Sequence, residues 1–177
     1  FWAGTMHLGP QRTATGSLWC LHTDQRIEKK YPDVTISNGI VWTGDKRTMY
    51  YIDTPRKNVL AFDYDNGTGA ISNERIAIDC KDFAGVPDGM TIDTEDRLWI
   101  AFCHGGKVLC IDPRTSAVVE EISFPCVETT ACAFGGRDLD NLYITTGLTK
   151  ANDEPLAGRI FVCRPGAKGV PGEPFRG

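Results

Sequence analysis

Short apolar or alternating runs recur along the chain, separated by Gly, Asp, Asn and Pro. The clearest are Gly39 to Trp42, Met49 to Ile52, Val59 to Phe62, Leu98 to Phe102 and Leu142 to Thr145. Such runs, rich in β-branched and aromatic residues and bounded by turn formers, signal strands. No long stretch places apolar residues at i, i+3, i+4 and i+7 between good caps, so helix is not expected. The pattern predicts an all-β chain.

The runs repeat in order as well as in kind. Those starting at Met49, Leu98 and Leu142 begin 49 and 44 residues apart, and Phe1 to Thr5 reads as the same run one period earlier. A second run follows each: Ser17 to Leu21, Asn58 to Asp63, Lys107 to Asp112 and Arg159 to Arg164. An apolar run precedes the three later ones: Gly39 to Trp42, Gly89 to Ile92 and Ala131 to Phe134. A more polar fourth run closes the unit at Ile71 to Ile78 and Val118 to Phe124. Four short strands per ~40–50 residues predict propeller blades. A β-sandwich with coincidental spacing is the rival, and it does not explain the repeated run order. At ~45 residues per blade, residues 1–177 form one propeller domain of about four blades. The first blade lacks its inner strand. The chain opens in what reads as mid-strand without a Met, so further blades are expected from a complementary N-terminal segment.

Composition narrows the function classes. Hydrophobic residues make up 41% and aromatics 10%, which excludes a disordered chain. A net charge of -4 argues against a basic nucleic-acid face, so no nucleic-acid partner is expected. No apolar run approaches ~18 residues, so no membrane span is expected. The seven cysteines show no C-x-x-C spacing, and several sit in strand-like runs, such as Cys110 and Cys132. They read as reduced, buried thiols, which points to a cytoplasmic protein without internal disulfides. Asn66-Gly67-Thr68 reads first as a turn, although it is formally a glycosylation sequon.

Candidate chemistry lies in the turns that enter the inner strands, because these ring the central channel. Asn38-Gly39 and Asp88-Gly89 occupy equivalent places in successive blades, 50 residues apart. Asx-Gly is a common tight-turn dipeptide. Yet the next blade has Thr129-Thr130-Ala131 at the matching place, so the architecture does not demand Asx-Gly there. A carboxamide and a carboxylate facing one axis suit a hard cation. Other groups weigh less. Cys103 and His104 are neighbours on a strand end, so their side chains are expected to point apart. Asp63, Asp65 and Asp112 read as turn caps. No phosphate-binding glycine loop precedes a helix, and no G-x-S-x-G nucleophile motif is present.

Ser37-Asn-Gly-Ile-Val-Trp, Pro87-Asp-Gly-Met-Thr-Ile-Asp, Arg97-Leu-Trp-Ile-Ala, Ala133-Phe-Gly-Gly and Leu142-Tyr-Ile-Thr, in this order and spacing, resemble the regucalcin and gluconolactonase family of six-bladed propellers. Insect luciferin-regenerating enzymes are relatives with the same motifs. The resemblance runs from Phe1 to about Gly172 and implies a metal-dependent lactone hydrolase, often described with Ca2+ but accepting Zn2+, Mn2+ or Mg2+. It implies that Asn38 and Asp88 are metal ligands, with a third ligand, a Glu, from a blade outside this chain. It also implies substrate contacts from an Arg and an Asn just upstream of Phe1. Some vertebrate relatives carry an acid shortly after Gly-Thr-Met, where this chain has His7-Leu8-Gly9-Pro10, which puts a sugar-lactone preference in doubt.

The leading expectation is an enzyme that opens a lactone, with Asp88 also accepting the proton of the attacking water. A calcium-binding or interaction propeller without turnover is the alternative, as is an inactive fragment, because the fold alone does not decide function.

Overall fold

The structure, a computed structural model, describes residues 1–148 and 154–175. Among these there are fourteen strands and one short 3-10 turn, Thr54–Arg56. The strands group in chain order into four antiparallel sheets. The first holds β1 (Trp2–Gly4), β2 (Gly16–Leu21) and β3 (Ile27–Val34). The second holds β4 (Ser37–Trp42), β5 (Thr48–Asp53), β6 (Asn58–Asp65) and β7 (Ala70–Asp79). The third holds β8 (Val86–Ile92), β9 (Leu98–Cys103), β10 (Lys107–Asp112) and β11 (Ala117–Ser123). The fourth holds β12 (Thr129–Gly135), β13 (Asn141–Thr146) and β14 (Ile160–Cys163). Each sheet is an up-and-down meander, and the inner strands β4, β8 and β12 pack side by side. These are about four blades of a β-propeller, as the run order predicts.

Blade stacking explains why the second strands read as continuous apolar runs. Alternate residues of a strand face opposite sides of the sheet, and here both sides are buried against neighbouring blades. Met49 and Tyr51 enter the core between the first and second sheets, whereas Tyr50 and Ile52 enter the core between the second and third. Likewise, Leu98, Ile100 and Phe102 face the second sheet, while Trp99 and Ala101 face the fourth. The outer strands β7 and β11 touch solvent along most of their length and carry their charged and polar residues in mid-strand, at Ser72 to Arg75 and at Glu120 and Glu121, although Ile76, Val118 and Val119 are also exposed. Strand β13 has only one buried side: Leu142 and Ile144 are inside, and Tyr143 is exposed beside Val162.

Turn chemistry follows the aspartates in part. Asp65 accepts hydrogen bonds from the Gly67 and Thr68 amides, which closes the Asn66-Gly67-Thr68 turn. Asp112 accepts from the Arg114 amide. Asp63 is not a turn cap: it lies inside β6 and binds Asn73 and Arg75 of β7.

All seven cysteines are free, and five are buried. Burial pushes the thiols of Cys80, Cys110 and Cys132 up to about 12, which keeps them protonated and unreactive. Thiol titration in denaturant without reductant should therefore count all seven. A count of five or fewer, with no other thiol modification, would reveal a disulfide.

Candidate metal site at one end of the channel

The inner strands begin alike. Register slips occur between Ser37 and Ile40, between Pro87 and Met90, and between Thr129 and Ala131. Asn38-Gly39 and Asp88-Gly89 thus lie within strands, at bulges, rather than in two-residue turns. A bulge re-aims side chains at the end of a sheet. The glycines are required for space and not for a left-handed backbone. A Cβ on Gly39 would lie 2.6 Å from Met90 Cγ and 3.0 Å from the Asp88 carbonyl oxygen. A Cβ on Gly89 would lie 2.6 Å from Ala131 Cβ and 2.8 Å from Ala131 Cα. Each inner strand therefore presses its glycine against the next, and this close approach sets Asn38 and Asp88 at the same end of the channel. The residue type at Asx+1 has a packing reason that turn statistics do not reveal.

Asn38 is tied to the strand that bears Asp88. Its Nδ2 donates to Thr54 Oγ1 at 2.6 Å, and Thr54 Oγ1 donates to the Pro87 carbonyl oxygen at 2.8 Å. With Nδ2 so committed, Asn38 Oδ1 is left as an acceptor for a ligand. The segment before Asn38 is also held. The fully buried Asp53 carboxylate accepts from the amides of Thr35 and Ile36 and pairs with Arg56 at 3.3 Å. Arg56 in turn donates to the Tyr31 hydroxyl of the first blade.

Asp88 is half-buried, and among the described residues its carboxylate has no hydrogen-bond or ion-pair partner. Burial pushes its carboxyl up to about 6, the negative charge of Glu128 adds to the rise, and His104 opposes it. A half-buried carboxylate short of positive charge, on the strand that adjoins the one bearing the Asn38 carboxamide, offers oxygen donors of the kind a hard divalent cation takes. Asn38 and Asp88 would hold such an ion, with further ligands from water or from elsewhere.

One sequence expectation is overturned at this end of the channel. Cys103 and His104 do not point apart. Cys103 Sγ donates to Glu128 Oε2 at 2.8 Å, and His104 Nδ1 lies 2.8 Å from Glu128 Oε1. His104 has φ 61°, so strand alternation stops at Cys103 and the imidazole swings to the same side. Glu128, buried just ahead of β12, is bridged to Cys103 through the backbone. Glu128 belongs to no motif in the sequence. The available signal was the Gly105-Gly106 pair, which marks a sharp turn at the strand end where alternation fails. Among the described residues no helix is long and apolar enough to cross a membrane.

Comparison with known proteins agrees with this architecture. Regucalcin of Sus scrofa is 42% identical over 168 residues, covering 92% of this chain and 56% of its own length. A solved luciferin-regenerating enzyme superposes with a TM-score of 0.87 at 34% identity, over 97% of this chain and 60% of that one. A calcium-binding protein, regucalcin, from Agrobacterium tumefaciens str. C58 superposes with a TM-score of 0.90 at 26% identity, over 99% and 60%. The chain thus spans about 60% of the length of these relatives. Residues 1–148 match the family described as "SMP-30/Gluconolactonase/LRE-like region", and with the blade order and the motifs around Asn38 and Asp88 in place, the chain belongs to that family.

Proposed function

We propose that this chain forms the larger part of a metal-dependent lactone hydrolase, with Asn38 and Asp88 as metal ligands. The observation that carries the reading is Asp88: a half-buried carboxylate without a partner among the described residues, on the inner strand next to that of Asn38, in a gluconolactonase-family propeller. A bound divalent ion, Ca2+ by analogy with the calcium-binding relative or Zn2+, Mn2+ or Mg2+, supplies Lewis-acid polarisation of the lactone carbonyl. Asn38 contributes a neutral oxygen whose direction the Thr54 hydrogen bond sets. Asp88 accepts a proton from the water that attacks the carbonyl carbon. As the ring C–O bond breaks, that proton passes to the departing alkoxide, and the product is an open-chain hydroxy acid.

The functional unit needs more blades than this chain holds. Tyr143, Ile160 and Val162 expose an apolar face on the fourth sheet, and Ile27 is exposed on the first. A soluble protein rarely leaves such faces open. A complementary segment of the same propeller would cover them and bring further ligands. The reduced thiols suit a reducing compartment such as the cytoplasm.

Hydrolysis of δ-lactones by the protein that carries this chain, assayed with chelator and after adding back divalent metal, tests the reading. Activity lost with chelator and regained with metal supports it. Calcium binding without turnover would establish the alternative, a binding propeller, which the calcium-binding relative favours. Metal-independent turnover would refute the proposed mechanism.

A further inference from the structure

We propose that Cys103, His104 and Glu128 form a site for a thiophilic divalent cation of the zinc class, with ligands distinct from Asn38 and Asp88. This inference stands independently of the lactonase reading. The three side chains offer one sulfur, one nitrogen and one carboxylate oxygen, and these atoms lie within 4.8 Å of one another. Calcium and magnesium take oxygen ligands, whereas a mixed S, N and O set selects zinc and its neighbours. Ligand atoms bound tetrahedrally at ~2.0–2.3 Å are about 3.3–3.8 Å apart. The present contacts of 2.8 Å from Glu128 to Cys103 and to His104 need to open by no more than about 1 Å.

The scaffold holds all three ligands near one point. Cys103 is the last residue of β9 and pairs with Val86 of β8. The turn that follows is closed by Gly105 N to Phe102 O at 3.0 Å and Gly106 N to Val127 O at 3.1 Å. Its left-handed step at His104 aims the imidazole at Glu128. The Glu128 backbone is fixed by its bridge to Cys103 and by Gly147 N donating to its carbonyl at 2.7 Å.

Electrostatics also favours a cation here. The Glu128 side chain is only 9% exposed, and among the described residues no Lys or Arg pairs with it. A buried carboxylate facing a thiol and an imidazole is short of positive charge. Asp88 adds a second negative charge to the same corner. The His104 side chain is 66% exposed, so an ion can enter and water can complete its shell, as in zinc sites with three protein ligands. On binding, the Cys103 S–H proton leaves to solvent and the thiolate sulfur bonds the metal. The Nδ1 proton that faces Glu128 in the metal-free protein moves to Nε2 by way of solvent, the neutral imidazole binds through the freed Nδ1 lone pair, and about one proton, that of Cys103, is released per ion. No oxidation state changes.

Cobalt(II) is the probe, added to the reduced, chelator-stripped protein carrying this chain. A thiolate-to-cobalt charge-transfer band in the near ultraviolet should saturate at one equivalent, and Zn2+ but not Ca2+ should displace it. Cys103→Ser should abolish the band. Glu128→Gln should weaken Co2+ affinity by at least about tenfold. Asn38→Ala should leave the band in place. If a variant fails to fold, alkylation of the unmutated protein with mass mapping decides instead, because stoichiometric Zn2+ should protect Cys103. A missing band, a band that survives Cys103→Ser, or unprotected Cys103 would overturn the proposal.

Discussion

Replacing Asp88 by asparagine is expected to lower metal-dependent lactone hydrolysis by at least about 10²-fold, the usual scale for losing a general base. The substitution keeps the shape and one ligand oxygen but removes the charge and the proton acceptor. It should have an opposite effect on the stability of the metal-free fold. The Asp88 carboxyl is raised to about 6 from an ordinary value of 3.8, chiefly by burial and then by Glu128. A carboxyl raised in the folded state penalises folding once it ionises. That penalty is absent below the unfolded pKa of about 4, grows through the interval, and is complete above about 6. In the absence of metal, Asp88→Asn should therefore be more stable than the parent at pH 8, and this advantage should vanish near pH 4. Chemical denaturation at the two pH values, beside the lactonase assay, measures both effects. A variant that retains full metal-dependent activity would remove Asp88 from the mechanism. Unchanged relative stability across the two pH values would show that the carboxylate is not strained by its surroundings.

Asp93→Ala is expected to destabilise the fold by about 3–5 kcal/mol, the scale for leaving one partner of a buried ion pair alone. The Asp93 carboxylate is fully buried at the end of β8. It accepts from the amides of Glu95 and Arg97 at 2.9 and 3.0 Å, from Arg97 Nε at 2.8 Å and from Trp99 Nε1 at 3.0 Å. Alanine strands two amides, an indole N–H and a guanidinium whose side chain is only 20% exposed. The loss also propagates, because Thr94 and Val170 tie this turn to the C-terminal segment through Thr94 N to Lys168 O and Val170 N to Ile92 O. Asp65→Ala is the comparison: Asp65 also accepts two turn amides, but it is exposed, so water can replace it. The difference between the two denaturation curves reports burial. A loss for Asp93→Ala no larger than that for Asp65→Ala would mean that the network contributes nothing beyond its turn.

The strands and blades were legible from the sequence because their causes are local. A strand buried on both faces must be apolar throughout, as Leu98 to Phe102 is, and one at the solvent rim can carry charged residues, as Ser72 to Arg75 do. Repetition of that order every ~40–50 residues identifies blades, because a single blade cannot bury its own faces. The equivalent placement of Asn38 and Asp88 was legible for the same reason: the repeat sets them at matching points of successive inner strands, where the register slips alike.

The remaining features depended on three-dimensional packing. Gly39 and Gly89 look like turn residues in sequence, and only the approach of neighbouring inner strands shows that a Cβ does not fit. Asp93 and Asp65 are both aspartates at strand ends, and burial alone separates a structural network from a surface cap. Strand alternation predicts that Cys103 and His104 diverge. The left-handed backbone at His104 reverses that prediction, and Glu128 arrives from the next blade, 25 residues on from Cys103. Periodicity describes a regular strand and says nothing about the point where the strand breaks, and the cluster forms at that break.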